Sequence, residues 1–354
     1  MGLKRKKLKI VFVGEGWVPM YEIGLYNAAK KMHDLEPYLF TWNEQIANLR
    51  TTLLGRVKNK LVIGRVISNI NKKMIEYCKE NKPDIVFLYA CRIIEEKTIK
   101  ELKKICGYVA IYNNDDPFSS FYPKYFWRCW RRSIKYSDIV YVYRDNNIDD
   151  CIKYGGRNVK KLRSYYNEER IYYIPDEENT IDCCVPDVLF LGHYESDERA
   201  EYIKYLADNG IGIGIPNIME WRGFEKDNPN VIKLENTHTV YNQLINKAKI
   251  CLVFLSKINN DTYTRRCFEI PAVKTLMMSV YTDDIASLFE SDKEIVFFRN
   301  KEELLNKIKY YLSNPNELLQ ISEAGFERVM RDGHSSIDRV KEILVDYRVT
   351  KRGN

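Results

Sequence analysis

The sequence has no long apolar run, because no stretch of about 18 consecutive apolar residues occurs in its 354 residues. A membrane-spanning helix needs about 20 such residues, so none is expected. The N-terminal apolar segment Leu8–Val13 is too short for the core of a signal peptide and continues into Gly14. We therefore expect a soluble protein that works in the cytoplasm, either free or at the inner face of the membrane.

Spacings typical of metal sites or disulfide frameworks are also missing. The nine cysteines are an odd number without a CxxC pair, and several lie in apolar runs, as Cys251 does in KICLVFL. They are expected to be small buried side chains in a reducing compartment. Since the four histidines are scattered along the chain, no metal site is expected.

The charge balance is mildly basic, with 56 Lys plus Arg against 49 Asp plus Glu and a net charge of +7. This balance fits an enzyme that handles anionic nucleotides or works beside an anionic lipid surface. It equally fits a lysine-rich solvated surface. Nucleic acid is not expected as a partner.

Short apolar runs alternate with helical periodicity along the whole chain, which predicts an α/β fold with parallel, doubly wound sheets. The alternation is interrupted at Ile174–Pro186, a segment with prolines at both ends and an acidic cluster. This predicts two domains, residues 1–176 and 187–354, with the last helix able to cross back to the first domain. The predicted strands are Lys9–Val13, Tyr38–Trp42, Asp84–Tyr89, Tyr108–Tyr112, Asp138–Tyr143, Asp187–Gly192, Ile211–Ile215, Ile250–Leu255, Leu276–Tyr281 and Ile295–Phe298.

A glycine-rich turn, GEGW, follows the first predicted strand. The dinucleotide pattern GxGxxG is not completed, because position 19 is Pro. Ligands of open α/β sheets bind at the carboxyl ends of the strands, so Glu15 is predicted to face a ligand cleft.

Two carboxylates, Asp115 and Asp116, follow the strand YVAIY in the sequence NNDDP. One of them could act as general base on an acceptor hydroxyl, or the pair could bind a divalent cation. The alternative is an Asx turn closed by Pro117.

The segment Phe126–Arg132 mixes aromatic and basic residues in the order FWRCWRR. It could contact lipid headgroups, a sugar or nucleic acid. The structural alternative, which we favour, is an amphipathic helix with Trp127 and Trp130 turned inward.

In the second half, Gly192 and His193 follow the strand DVLFL. A glycine at this place lets a phosphate approach the backbone. Arg199 lies near the start of the next helix, where it could reach the same anion or pair with a nearby acid.

The richest combination of charged and hydroxyl groups is NNDTYTRRCFEIPA, residues 259–272, which follows the strand ICLVFL. Arg265 and Arg266 could bind diphosphate oxygens, and Glu269 could accept hydrogen bonds from ribose hydroxyls. Tyr263 is a further candidate for this site. The alternative is an Arg–Glu ion pair on a short surface helix.

This segment opens a longer resemblance to the CgeB-like glycosyltransferases. The matching pieces keep their order over about 80 residues, and DVLFLG, YNNDDP and YSDIVYVY fit upstream. The pieces are NNDTYTRRCFEIPA, Leu276, LFESDKEIVFF, EELLNKIKYYL, ISEAGFERV, His334 and Arg339.

The resemblance implies a GT-B fold, in which two Rossmann-like domains face a central cleft and the C-terminal domain binds a nucleotide-sugar donor. It implies that Glu269 holds the ribose and that Arg265 or Arg266 meets the diphosphate, without a metal ion or other cofactor. A UDP-sugar is the expected donor. Relatives often carry glycine where this chain has Lys274, which could add a phosphate contact or change the accepted donor.

The predicted reaction is transfer of the sugar to an acceptor hydroxyl in surface-glycan or glycoconjugate assembly. The acceptor would be a glycan, a lipid-linked molecule or a protein, with a peripheral membrane contact as a further expectation. Asp116 is the preferred catalytic base, followed by Asp115 and Glu15. The alternative is an inactive GT-B-like module that binds a glycan or a partner enzyme.

Overall fold

The computed structural model describes residues 6–181, 184–224 and 228–352, except for the side chain of residue 48. The chain divides into two compact units. The N-terminal unit runs to Ser164 and resumes at Ser336, and the C-terminal unit is Tyr165–Ser335. Each unit has its own sheet and its own hydrophobic core.

The N-terminal unit alternates strands and helices, as its sequence periodicity predicts. Its elements are β1 (Leu8–Gly14), α1 (Glu22–Lys30), β2 (Leu35–Thr41), α2 (Asn43–Thr51), α3 (Leu53–Leu61), α4 (Arg65–Asn81), β3 (Ile85–Tyr89), α5 (Glu96–Cys106), β4 (Val109–Asn113), α6 (Arg128–Ser133), β5 (Ile139–Val142), α7 (Asn146–Lys153) and β6 (Val159–Lys161).

All strand pairs of this unit are parallel, in the order β2-β1-β3-β4-β5-β6. Every residue of β3 and β4 is buried, which explains why both strands are continuously apolar rather than alternating. The order reverses between β1 and β3, and such a switch point opens a crevice at the carboxyl ends of the two strands.

The C-terminal unit follows the same plan. Its elements are β7 (Val188–Leu189), α8 (Arg199–Asp208), β8 (Ile213–Pro216), β9 (Val231–Leu234), α9 (Tyr241–Lys247), β10 (Ile250–Val253), α10 (Arg266–Glu269), β11 (Leu276–Val280), α11 (Asp283–Ala286), β12 (Val296–Phe298), α12 (Lys301–Ser313) and α13 (Pro315–Asp332).

The second sheet has the order β12-β11-β10-β7-β8-β9, again with parallel pairs throughout. Its first strand, β7, lies in the middle, so the switch point falls between β7 and β10. The loops after these two strands hold Gly192 and Arg266 respectively. The strand order therefore places these two residues beside the same crevice.

The predicted α/β fold with two Rossmann-like sheets is confirmed, and each predicted strand has a counterpart. The change of unit falls between Ser164 and Tyr165 rather than at Ile174–Pro186. The segment after Tyr165 is tied to α9, because Asn242 Oδ1 accepts from Tyr172 N at 3.2 Å and Asn246 Oδ1 accepts from Ile174 N at 2.7 Å. The prolines and acids of the predicted boundary thus lie inside the C-terminal unit.

The last helix, α14 (Ser336–Arg352), is counted with the N-terminal unit. Its Asp346 accepts a hydrogen bond from Tyr141 Oη in β5 at 2.8 Å and pairs with Lys160 Nζ in β6 at 3.1 Å. Buried Val340 and Ile343 add apolar contact area.

None of the helices within the described ranges is long and apolar enough to cross a membrane. The eight described cysteines are all free thiols, and six of them are buried. The same part of the chain holds no cluster of three His, Cys, Asp or Glu side chains suited to a metal ion. The ninth cysteine, Cys183, lies outside the described residues.

Candidate functional site

The switch point of the C-terminal unit brings Gly192 and Arg266 together. A Cβ atom at position 192 would clash with the Phe190 ring and would lie 3.1 Å from Arg266 Nη2. The Gly192 carbonyl accepts a hydrogen bond from Trp221 Nε1 at 3.0 Å, which fixes this backbone. Glycine is therefore required here for space, and the Arg266 guanidinium lies close to the buried backbone of Gly192.

The side chain of Arg266 makes no hydrogen bond or ion pair to any residue in the described ranges, and its buried Nε atom has no partner there. Its guanidinium lies 5.9 Å from the centre of the Phe190 ring. A buried arginine donor without an acceptor is costly, because an unsatisfied polar group keeps its desolvation penalty. Such a cation at the switch point of a parallel sheet is suited to a phosphate or another anion.

Glu269, at the end of α10, is only 4 % exposed. One carboxylate oxygen accepts from Arg265 Nε at 2.6 Å and the other accepts from Tyr241 Oη at 3.1 Å. Each oxygen keeps a second lone pair, so both can still accept a hydroxyl. Burial, followed by the charge of Glu269, raises the pKa of Tyr241 well above its ordinary value, so Tyr241 stays a donor.

The predicted alternative of an Arg–Glu ion pair applies to Arg265 but not to Arg266. Arg265 lies four residues before its partner Glu269. The structure thus separates the two arginines, which the sequence could not rank. Arg265 orients the buried carboxylate, whereas Arg266 lies at Gly192.

Arg199 was expected either to reach a ligand anion or to pair with a nearby acid, and the structure shows the second arrangement. It is 3 % exposed, and Asp197 accepts from its Nε at 2.8 Å and its Nη2 at 2.7 Å. Its remaining bonds go to the carbonyls of His193, at 2.8 Å, and Leu255, at 3.0 Å. Arg199 therefore ties the loop after β7 to the loop after β10 and is not available to a ligand.

Tyr263 and His193 differ in accessibility. Tyr263 has no exposed surface and packs against Phe268 at a ring distance of 5.8 Å, and its contact with a donor stays a prediction. Its buried ring packs beneath the loop that leads into α10 and so contributes to the core there. His193 is exposed, and partial desolvation together with the Arg266 cation lowers its pKa, which keeps the imidazole neutral at pH 7.

Lys274 was expected either to add a phosphate contact or to change the accepted donor, and its Nζ atom pairs with Glu323 Oε1 at 2.9 Å. The ammonium also lies over the rings of Tyr173 and Phe326, at 5.0 Å and 4.8 Å. Lys274 has a φ of +60°, at the end of the short 3₁₀ turn Pro271–Val273. Glycine adopts this left-handed conformation without steric strain, so glycine would suit this position.

At the carboxyl edge of the N-terminal sheet, Asp116 forms the predicted Asx turn. Its Oδ1 atom accepts from Phe118 N at 2.9 Å and from Asn147 Nδ2 at 2.9 Å, and the residue is 5 % exposed. Asp115, one residue earlier, is half-buried. Of the two carboxylates, Asp115 is therefore the more accessible and Asp116 the more constrained.

Glu15 also lies at this edge, directly after β1, where it forms an ion pair with Arg50. Sequence reasoning missed Glu22, which is buried behind the same loop and accepts from Gly16 N at 2.6 Å. Burial raises the pKa of Glu22 to about 6. A Cβ atom at Gly14 would clash with this carboxyl group, so the glycine makes room for it.

The FWRCWRR segment has the predicted structural role. Trp127 and Trp130 are buried, at 3 % and 1 % exposure. Arg128 donates to the carbonyls of Leu61 and Val62 at 2.8 Å and 3.2 Å, and Arg131 donates to the carbonyl of Pro117 at 2.6 Å. These arginines bind backbone carbonyls, so they do not form a surface for lipid or nucleic acid.

Solved structures share this fold over nearly the whole chain. A sucrose-phosphate synthase from Thermosynechococcus elongatus has a TM-score of 0.70 at 10% identity, covering 98% of this chain and 100% of its own. A glycosyltransferase from Rickettsia africae gives 0.68 at 15% identity, covering 98% and 100%. HepE of Anabaena, solved with UDP and glucose, gives 0.67 at 12% identity, covering 96% and 99%. The fold is that of the GT-B glycosyltransferases.

Residues 211–345 match the model of a family described as glycosyl transferase-like. The matched range includes Arg265, Arg266 and Glu269. No curated protein matched the chain by sequence. Over these residues the chain is similar to the glycosyl transferase-like family, and its fold as a whole is GT-B.

Proposed function

We propose that this chain transfers a sugar from a nucleoside diphosphate sugar to an acceptor hydroxyl, with the donor bound at the switch point of the C-terminal unit. The observation that carries the proposal is the Arg266 side chain, which lies close to Gly192 at the switch point and makes no hydrogen bond or ion pair to the described residues. A diphosphate would give its guanidinium the missing acceptors. The same cation would stabilise the negative charge of the departing diphosphate.

Glu269 then binds the ribose of the donor. Each of its two carboxylate oxygens accepts one hydrogen bond, from Arg265 and Tyr241 respectively. The second lone pair of each oxygen can therefore accept a hydrogen bond from a ribose hydroxyl. A UDP-sugar is the donor that we propose, because HepE, which has the same fold, was solved with UDP and with UDP-glucose. Donor binding uses side chains and backbone, and we propose no metal ion or cofactor.

The acceptor is proposed to bind to the N-terminal unit, at the carboxyl ends of β1, β3 and β4. Asp115 is the proposed general base, because it is half-buried and so more accessible than Asp116, which is fixed in its Asx turn. A general base must lie within hydrogen-bond reach of the hydroxyl that it deprotonates. The acceptor is a glycan, a lipid-linked molecule or a protein, in keeping with the CgeB-like motifs.

The base assignment predicts different outcomes for two neighbouring substitutions. Asp115→Asn should lower kcat by about 10²–10⁴-fold with little change in stability. Asp116→Asn should instead lower the unfolding free energy by about 1–2 kcal/mol, because it weakens the Asx turn. Kinetics with an identified acceptor and urea unfolding measure both, and full activity of Asp115→Asn would exclude this base.

Turnover of the donor tests the proposed function. The purified chain is incubated with UDP-, GDP- and dTDP-sugars, and release of the nucleoside diphosphate is measured with and without candidate acceptors. Arg266→Gln should reduce release by about tenfold or more, since a charge-assisted bond to phosphate is lost. The matched control is Arg157→Gln, an exposed arginine that precedes β6 at the amino edge of the other sheet. If neither the wild type nor the control releases nucleoside diphosphate, the alternative is favoured, in which the chain is an inactive GT-B-like module that binds a glycan or a partner enzyme.

A further inference from the structure

Helix α3 has its apolar side turned to solvent. Leu53, Leu54 and Val57 fall within one face at 100° per residue, and they are 75%, 63% and 44% exposed. The opposite side of the helix, which carries Gly55 and Asn59, faces the protein. This orientation is the reverse of the usual surface helix, whose apolar stripe is buried.

Polar contacts fix α3 in this orientation. Arg92, which follows β3, donates to the carbonyl of Asn59 at 2.9 Å and to its Oδ1 at 3.0 Å. A Cβ atom at Gly55 would lie 2.5 Å from the carbonyl oxygen of Leu49 in α2, so the two helices are in close contact there. Thr52 caps the helix by accepting from Gly55 N at 3.0 Å. These contacts on the buried side of α3 therefore keep its apolar face turned to solvent.

Cations flank the apolar face on both sides. Arg56 and Lys60 lie along one side at helical spacing, and Lys58 lies along the other. None of these three pairs with a carboxylate in the described ranges. The sequence from residue 45 to residue 75 contains seven Lys or Arg and no Asp or Glu. A surface with cations, exposed aliphatic side chains and no acids is complementary to a partner that combines negative charge with an apolar layer.

We infer that the α3 face, defined by Leu53, Leu54 and Val57 with Arg56, Lys58 and Lys60, docks on an anionic lipid bilayer. Leucines of an amphipathic helix enter the boundary between headgroups and acyl chains, while lysine and arginine bind anionic headgroups. An acidic protein surface offers the charge but not a layer into which three aliphatic side chains can insert. Docking needs neither donor nor acceptor, so it stands independently of the proposed reaction.

The location of α3 connects this surface to the proposed acceptor edge. Arg92 reaches α3 from the carboxyl end of β3, and Arg50 joins α2 to Glu15 after β1 while lying 5.2 Å from the ring of exposed Trp17. A bilayer bound to α3 thus lies beside the edge where an acceptor hydroxyl would bind. A lipid-linked acceptor would reach this edge without leaving the membrane.

Vesicle flotation of the full chain tests the inference. Binding to vesicles of phosphatidylglycerol and phosphatidylcholine is compared with binding to phosphatidylcholine alone, at low and high salt. Wild type should float with the anionic vesicles and lose binding at high salt. The affinity of the double variant L53S/L54S for anionic vesicles should be lower by about tenfold or more. The affinity of R56Q/K60Q should fall by a similar factor.

The matched control is Leu319→Ser on α13, because Leu319 and Leu54 are 62% and 63% exposed. Leu319→Ser should bind like wild type, and circular dichroism melts should show that all variants fold. Absence of wild-type flotation would overturn the inference, as would equal binding of L53S/L54S or equal binding to neutral vesicles. Self-association without lipid that disappears in L53S/L54S would also overturn it, because the occupant would then be a second copy.

Discussion

The carboxyl edges of the two sheets hold charged side chains of different availability. In the C-terminal unit, the Arg199 guanidinium is bound by Asp197, Glu195 and two carbonyls, while the Arg266 side chain makes no hydrogen bond or ion pair to the described residues. In the N-terminal unit, backbone amides occupy the carboxylates of Glu22 and Asp116. A residue's place at the ligand edge thus does not decide whether it can meet a ligand.

This difference has a simple physical origin. Buried polar groups need partners, and those that find them inside the protein stabilise the loops that carry them. A group that finds none gains most from a ligand. The comparison between Arg199 and Arg266 therefore separates a structural cation from a binding cation.

The largest expected effect concerns Arg199. Arg199→Ala would leave Asp197 buried without its cation, and the unfolding free energy should fall by about 3–5 kcal/mol. Arg157→Ala, at an exposed site, should change it by less than about 0.5 kcal/mol. Urea unfolding measures both variants. If Arg199→Ala is as stable as the control, the structural interpretation of Arg199 is wrong.

A smaller effect on the unfolding free energy is expected from the titration of Glu22. Because burial raises its pKa from 4.5 to about 6, the folded state binds this proton more tightly than the unfolded state. Stability should therefore fall as pH rises through this window, by about 2 kcal/mol in all. Glu22→Gln removes that loss while keeping an acceptor for Gly16 N.

Urea unfolding across this pH range compares Glu22→Gln with Glu44→Gln, an exposed acid in the first turn of α2. The Glu22 variant should gain stability on wild type as pH rises, and the Glu44 variant should not. An identical pH profile for wild type and Glu22→Gln would show that Glu22 is not the buried carboxyl that the structure describes.

The smallest expected effect is that of Lys274→Gly. Relief of the left-handed backbone should stabilise by about 1 kcal/mol, offset by up to about 1 kcal/mol from the lost pair with Glu323. Glu323→Gln isolates the second contribution. UDP affinity, measured by calorimetry, should stay unchanged, and a tenfold loss would restore Lys274 as a phosphate contact.

Much of the fold follows from local pattern. The runs DIVFLY and YVAIY predict buried parallel strands, and Asn300 with Glu303 predicts the start of α12, where Asn300 Oδ1 accepts from Glu303 N at 2.8 Å. Helices α2 and α3 were not predicted, because α3 turns its apolar face outward and offers no core pattern. Strands β6 and β9 were also missed, because lysines interrupt their short apolar runs, VKK and VIKL.

The site was predictable in location but not in detail. Strand ends place Gly192, Arg266 and Glu269 at one edge once the strand order is known. Tertiary contacts decide the rest, such as the bond from Arg199 to the carbonyl of Leu255, 56 positions away. The burial of Glu22 depends on the loop Gly14–Gly16 folding over it, and nothing in the helix sequence indicates that.

The most direct test of the donor site is calorimetric titration of UDP into wild type and Glu269→Ala. Glu323→Ala is the matched control, because Glu323 pairs with Lys274 and lies outside the proposed site. Loss of hydrogen bonds to a charged acceptor should weaken UDP binding by about tenfold or more in Glu269→Ala and leave the control like wild type. Equal affinity in wild type and Glu269→Ala would contradict the account.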